Sequence, residues 1–132
     1  MAFSWILSTL FSIIPIDSEK FRVMGEKGGE RAFSGRYLYE ESQGTYVCAT
    51  CTAPLFDSDD KYDSGSGWPS FLKPIEPKRV YYLEDSEFPH MRYQVLCRGC
   101  HSHLGHVFKD GPPPKGLRYC IHSITLELKI GT

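Results

Sequence analysis

Four of the five cysteines fall into two pairs of identical spacing, Cys48-Ala-Thr-Cys51 and Cys97-Arg-Gly-Cys100. Two residues between cysteines is the spacing that lets two thiolates converge on one tetrahedral Zn2+. The pairs are separated by the 45 residues from 52 to 96, far more than in a small zinc finger. One ion would therefore pin two distant segments rather than fold a local loop. Each pair follows an apolar stretch that reads as a strand entering a tight turn. The same sulfurs could close two disulfides or fill a core as thiols, but the duplicated spacing favours metal. A structural zinc contributes on the order of 10–16 kcal/mol, whereas a whole domain is stable by only about 5–15 kcal/mol. A chain built this way should unfold when the ion is removed. Four thiolates leave no open coordination position, so the ion is expected to be structural and not catalytic.

The rest of the chain is compatible with one small β-rich domain of 132 residues. Twelve glycines and nine prolines argue for short strands joined by turns. The formal net charge is −1, so no basic field is available to hold a nucleic-acid backbone. Residues 1–16 are apolar but shorter than the roughly 20 residues of a membrane helix. They have no leading Lys or Arg and no small-x-small cleavage site. We treat 1–19 as an apolar segment ahead of the domain, disordered or targeting, and 20–132 as the domain itself. Asp17 and Ser18 are set to cap a short helix through Lys27, closed by Gly28 and Gly29.

Strands are expected at Thr45–Cys48, Arg79–Leu83 and Met91–Cys97. The clearest runs from Ile124 to Ile130, where Ile124, Leu126, Leu128 and Ile130 alternate with Thr125, Glu127 and Lys129. Residues 57–67 and 109–116 read as turn-rich connectors. The expected fold is mainly antiparallel β with one short N-terminal helix.

Once four sulfurs are assigned to an ion, Cys120 is left alone, in Arg118-Tyr119-Cys120-Ile121-His122-Ser123. On a strand Arg118, Cys120 and His122 share a face. A cation and an imidazole beside a thiol favour the thiolate. His101-Ser102-His103-Leu104-Gly105-His106 follows directly on the second cysteine pair, where a metal would fix the backbone. A cysteine-based active site, a second metal site built from these histidines, and solvated or core histidines are all compatible with the spacing.

At these residues the chain resembles the B-class peptide-methionine (R)-S-oxide reductases. The resemblance is carried by GERAFSGRYL (29–38), YVCATC (46–51), KYDSGSGWPSF (61–71), CRGCHSHLGHVFKDGPPP (97–114) and RYCIHS (118–123), in the family's order. It implies two small antiparallel sheets, a β-tent, clipped by a zinc on Cys48, Cys51, Cys97 and Cys100. It implies Cys120 as the nucleophile, with His103, His106 and Arg118 as active-site partners. It also places Trp68 against the methyl group of the sulfoxide, with Phe108 and His122 lining the pocket. The substrate class would be methionine-R-sulfoxide in peptides and proteins. Ser66 stands between two glycines where many relatives carry a resolving cysteine. The resemblance therefore implies a one-cysteine cycle, with thioredoxin, glutaredoxin or glutathione acting directly on oxidised Cys120. His122 replaces the usual Asn. A monomer in the cytoplasm is the expected setting, with the apolar N-terminus leaving organellar or secretory targeting open.

The rival reading is a zinc-ribbon-like protein-binding module with no catalysis, in which Trp68 and Phe71 form an aromatic platform. A zinc hydrolase or deaminase would need an open metal position, which four thiolates do not leave.

Overall fold

The computed structural model describes residues 30–84 and 92–130. The helix expected over 17–27 and the strand start at Met91 lie outside the described residues. Among the described residues nine strands form two antiparallel sheets. The smaller has the order β2-β1-β9, from Pro54–Asp57, Gly44–Cys48 and Leu126–Ile130. The larger has the order β3-β4-β8-β7-β6-β5. Its strands are Lys61–Tyr62, Ser70–Phe71, Arg118–Ile121, His103–Phe108, Arg92–Cys97 and Val80–Glu84. Among the described residues no α-helix occurs, only three short 3-10 turns, and no helix is long and apolar enough to cross a membrane.

The sheets meet through aromatic side chains. Phe56 of β2 stacks on Phe71 of β4 with ring centroids 4.5 Å apart. Tyr46 of β1 meets Phe71 edge-on at 5.2 Å. All three are completely buried, with Leu55, Val95, Leu104 and Ile121 around them. Each such side chain contributes about 1.5–3 kcal/mol by leaving water, and the ring pairs add roughly 0.5–1.5 kcal/mol beyond area. Phe71 matters most to the site, because β4 pairs with β8 and sets Ser70 opposite Cys120.

Several boundaries differ from the sequence reading: the first strand begins at Gly44 rather than Thr45, and the strand expected at Arg79–Leu83 is Val80–Glu84, because Arg79 closes a 3-10 turn opened by Pro77. The last strand starts at Leu126, not Ile124. Residues Ser123–Thr125 form a 3-10 turn closed by the Thr125 N–H donating to His122 O at 3.0 Å. The N–H groups of Ser123 and Ile124 are taken by the Glu30 carboxylate at 3.0 and 2.9 Å, so they are spent before a ladder can form. Leu126 is buried and Leu128 half-buried, but Ile130 at the sheet margin is 67% exposed. The expected connector 57–67 also contains β3 and a 3-10 turn at Ser58–Asp60.

Candidate metal centre and active site

The two cysteine pairs sit in two copies of one turn. In the first, the Thr52 N–H donates to Cys48 O at 2.8 Å and the Cys48 N–H to Ala53 O at 2.9 Å. In the second, the His101 N–H donates to Cys97 O at 2.7 Å and the Cys97 N–H to Ser102 O at 2.9 Å. Thr52 and His101, at the same place in each turn, have φ of 63° and 65°. Cys48 ends β1 and Cys97 ends β6, so the turns bring one sheet to the other.

The four Sγ atoms lie within 4.8 Å of one another. Cys48–Cys100 is 3.6 Å and Cys51–Cys97 is 3.5 Å. A tetrahedral ion with Zn–S of about 2.3 Å requires sulfurs about 3.8 Å apart, whereas a disulfide requires about 2.05 Å. All five cysteines are free. The residues present therefore fit a tetrahedral thiolate-binding ion. Gly99 closes over them: a Cβ there would stand 3.2 Å from Cys51 Sγ. Burial holds the Cys48 and Cys97 thiols above the ordinary range. At Cys100 burial also pushes upward, but hydrogen bonding from Ser102, Cys48 and Cys51 outweighs it and the net direction is down.

Cys120 occupies the middle of the large sheet, on β8. Ser70 on β4 and His106 on β7 are its ladder partners. The sequence-chosen residues form an unbroken run of contacts. Trp68 meets His122 edge-on at 6.3 Å, His122 lies 5.8 Å from His103, and His103 lies 5.3 Å from His106. His106 is 6.4 Å from Phe108, and the Arg118 guanidinium sits over the Phe108 ring at 4.2 Å. His103 and His106 are three apart, which on a regular strand would face them oppositely. A β-bulge corrects this: Val95 pairs with Gly105 but Leu96 pairs with His103, leaving Leu104 as the extra residue. Gly105 allows the backbones of β7 and β8 to approach, since a Cβ there would be 2.1 Å from Cys120 O.

The SelR domain family model matches residues 16–130. The chain belongs to the SelR domain family. It is 51% identical over 114 residues to a peptide methionine sulfoxide reductase MsrB of Saccharophagus degradans, covering 86% of this chain and 85% of the relative. Similar matches are the proteins of the same name from Pseudomonas putida, at 51%, and Azotobacter vinelandii, at 52%, each covering 86% of both chains.

Within this SelR domain the electrostatics of Cys120 differ from the sequence expectation. Burial, with 8% of the residue exposed, pushes its thiol upward. The Arg118 charge, hydrogen bonding from Ser66 and Arg118, and the charge of Arg92 pull downward without reversing it. The net direction is upward because desolvating a thiolate outweighs what two partly exposed guanidiniums return.

Several organising residues escaped the sequence reading. Asp110 holds Arg118 with a two-point contact, Nε to Oδ1 at 2.9 Å and Nη2 to Oδ2 at 3.2 Å. A turn in which the Gly111 N–H donates to Gly116 O at 3.0 Å brings the two together. Arg92 covers the Phe108 ring at 5.9 Å. Glu30 does most: its carbonyl accepts from Trp68 Nε1 at 2.8 Å, its N–H donates to His122 Nδ1 at 3.3 Å, and its carboxylate caps residues 123–124. An isolated Glu in a Gly-rich stretch carries no periodic or spacing signal. Only contacts far away in sequence, 38 residues at Trp68 and more than 90 at residues 122–124, reveal its role.

Proposed function

We propose that this chain reduces methionine-R-sulfoxide in peptides and proteins to methionine, with Cys120 as nucleophile. The observation that carries the reading is the position of Cys120 as the one cysteine outside the four-cysteine cluster, laddered to His106 and bordered by Arg118. Family membership and relatives at about half identity support it.

The Cys120 proton passes to an imidazole, His106 or His103, as substrate enters and water leaves. The thiolate attacks the sulfoxide sulfur, and the imidazolium returns the proton to the oxygen. The S–O bond of the substrate breaks as the protonated oxygen passes to the Cys120 sulfur, and the transient S–S bond breaks with its electron pair returning to the substrate sulfur; methionine leaves reduced by two electrons and Cys120 is left as a sulfenic acid, oxidised by two. Arg118, held by Asp110, stabilises the negative charge that develops. Trp68, fixed by its indole hydrogen bond to Glu30, offers a flat apolar wall to the methyl group. Methyl, oxygen and peptide chain then occupy three separate subsites, which is what reading chirality at sulfur requires.

An external thiol attacks the sulfenic sulfur and expels water. A second thiol takes the resulting mixed disulfide and frees Cys120. Ser66, which hydrogen-bonds to Cys120, can form no disulfide. The reductant is therefore thioredoxin, glutaredoxin or glutathione. We assign the ion at Cys48, Cys51, Cys97 and Cys100 as Zn2+, which supplies a structural cross-link between the sheets. Free thiols throughout fit a reducing compartment such as the cytoplasm, and we propose a monomer that binds no nucleic acid.

The test is a coupled assay on the two separated sulfoxide epimers of a blocked methionine. Turnover of the R epimer, abolished by Cys120→Ser, is expected. Turnover of the S epimer alone would contradict the reading. An internal disulfide in oxidised protein that still holds its metal would contradict the one-cysteine cycle.

A further inference from the structure

One ring nitrogen from each of His103, His106 and His122 lies within 4.8 Å of those of the other two. His103 and His122 are 4% and 7% exposed, and His106 is half-buried. The three come from two separate places, the bulged strand β7 and the residue just past β8. Three imidazoles around a divalent ion, with a fourth position open, is an established coordination geometry. With metal–nitrogen bonds of about 2.0–2.1 Å the nitrogens stand about 3.4 Å apart, so modest side-chain rotations close these rings onto an ion. The group contains no carboxylate. A neutral imidazole set suits zinc, copper or nickel and discriminates against calcium and magnesium.

We propose that His103, His106 and His122 form a binding site for a divalent ion of the zinc–copper–nickel class, separate from the four-cysteine centre, and that an ion bound there covers Cys120. His106 is the direct ladder partner of Cys120, so the ion sits where a substrate must approach the thiol. The backbone N–H of Glu30 donates to His122 Nδ1 at 3.3 Å. Coordination through Nε2 moves the ring proton to Nδ1 and gives up that long hydrogen bond, while the contact with Trp68 still limits how far the ring swings. Metal binding does not depend on the reductase reading. Only the resulting inhibition does.

The experiment uses full-length protein with its four-cysteine centre filled, dialysed against buffered micromolar free Zn2+. Zinc uptake is followed by elemental analysis and the histidine ring protons by NMR. Wild type is expected to take up one further equivalent, with the His103, His106 and His122 signals shifting. The exposed His101, whose Nδ1 lies 2.9 Å from Tyr81 Oη, serves as the unshifted control. His122→Asn and, independently, the half-buried His106→Asn should raise the free zinc needed for that equivalent by at least about tenfold. Retention of the first equivalent shows that each variant is folded. Wild type that stops at its first equivalent, or folded variants that bind the second as tightly as wild type, overturn the site. A second equivalent that leaves alkylation of Cys120 unslowed overturns its covering.

Discussion

Replacing Glu30 by Gln isolates one buried carboxylate that organises the site from outside it. Its Oε2 accepts the Ser123 N–H at 3.0 Å and its Oε1 accepts the Ile124 N–H at 2.9 Å. Gln keeps one acceptor and turns an NH2 toward the other backbone donor. One hydrogen bond to a charged group is lost, worth about 1.5–3 kcal/mol, and a buried N–H is left without a partner at a further cost of about 1–3 kcal/mol. Little room exists to relax, because Glu30 is 7% exposed and Ser123 is 1% exposed. Gly35 also packs so closely that a Cβ there would be 2.2 Å from Ser123 Oγ and 2.8 Å from Glu30 Oε2. We expect Glu30→Gln to lose about 3 kcal/mol, a large part of the roughly 5–15 kcal/mol that holds a domain. Urea denaturation of the metal-loaded proteins, followed by circular dichroism, measures it. Activity should fall as well, because the same residue's peptide groups hold Trp68 and His122. A loss below about 1 kcal/mol would refute the account of residues 123–124 as a turn capped by this carboxylate.

Stripping the four-cysteine centre with a strong chelator should abolish the cooperative thermal transition, since the ion's contribution of about 10–16 kcal/mol rivals the whole net stability; an apoprotein with an unchanged melting curve would count against it. Because burial leaves the Cys120 thiol above its ordinary range, the thiolate fraction at neutral pH is lower than in a free cysteine. Alkylation of Cys120, read by peptide mapping, should therefore still be climbing above about pH 8.5, and Arg118→Ala should shift the climb to higher pH; a plateau reached below neutrality would show the opposite sign. Gly105→Ala places a Cβ 2.1 Å from Cys120 O, so β7 and β8 must part by about 1 Å, a misplacement that lowers kcat/KM by about a hundredfold; activity equal to wild type would mean that the close approach is not needed.

The four-cysteine cluster was legible because its signal is local. Two short copies of one spacing each encode one turn, and the turns repeat down to the hydrogen-bond offsets and the left-handed residue at Thr52 and His101. The strands that carry Tyr46, Val95 and Cys97 were legible for the same reason, as apolar β-formers with a period of two. The final strand was misjudged at its start because Ile124 continues the apolar alternation, yet its N–H belongs to a carboxylate 94 residues away. At Cys120 the sequence shows the Arg118 charge that pulls the thiol down, but not the burial that pushes it up, because burial depends on the packing of every strand around it.

The histidines lie between these cases, since their identity could be read from the chain and their common face could not. Strict alternation separates His103 from His106, and only the pairing of β7 with β6 reveals Leu104 as the inserted residue. The metal centre bears on that register. The second cysteine turn closes through the Cys97 N–H to Ser102 O bond, and β7 begins at the next residue, His103. An ion holding Cys97 and Cys100 therefore fixes where β7 begins against β6, and with it the bulge that turns His103 and His106 to one side. The four-cysteine cluster and the histidines that border Cys120 are separate groups of side chains in this fold, joined through a few residues of backbone between Cys100 and His106.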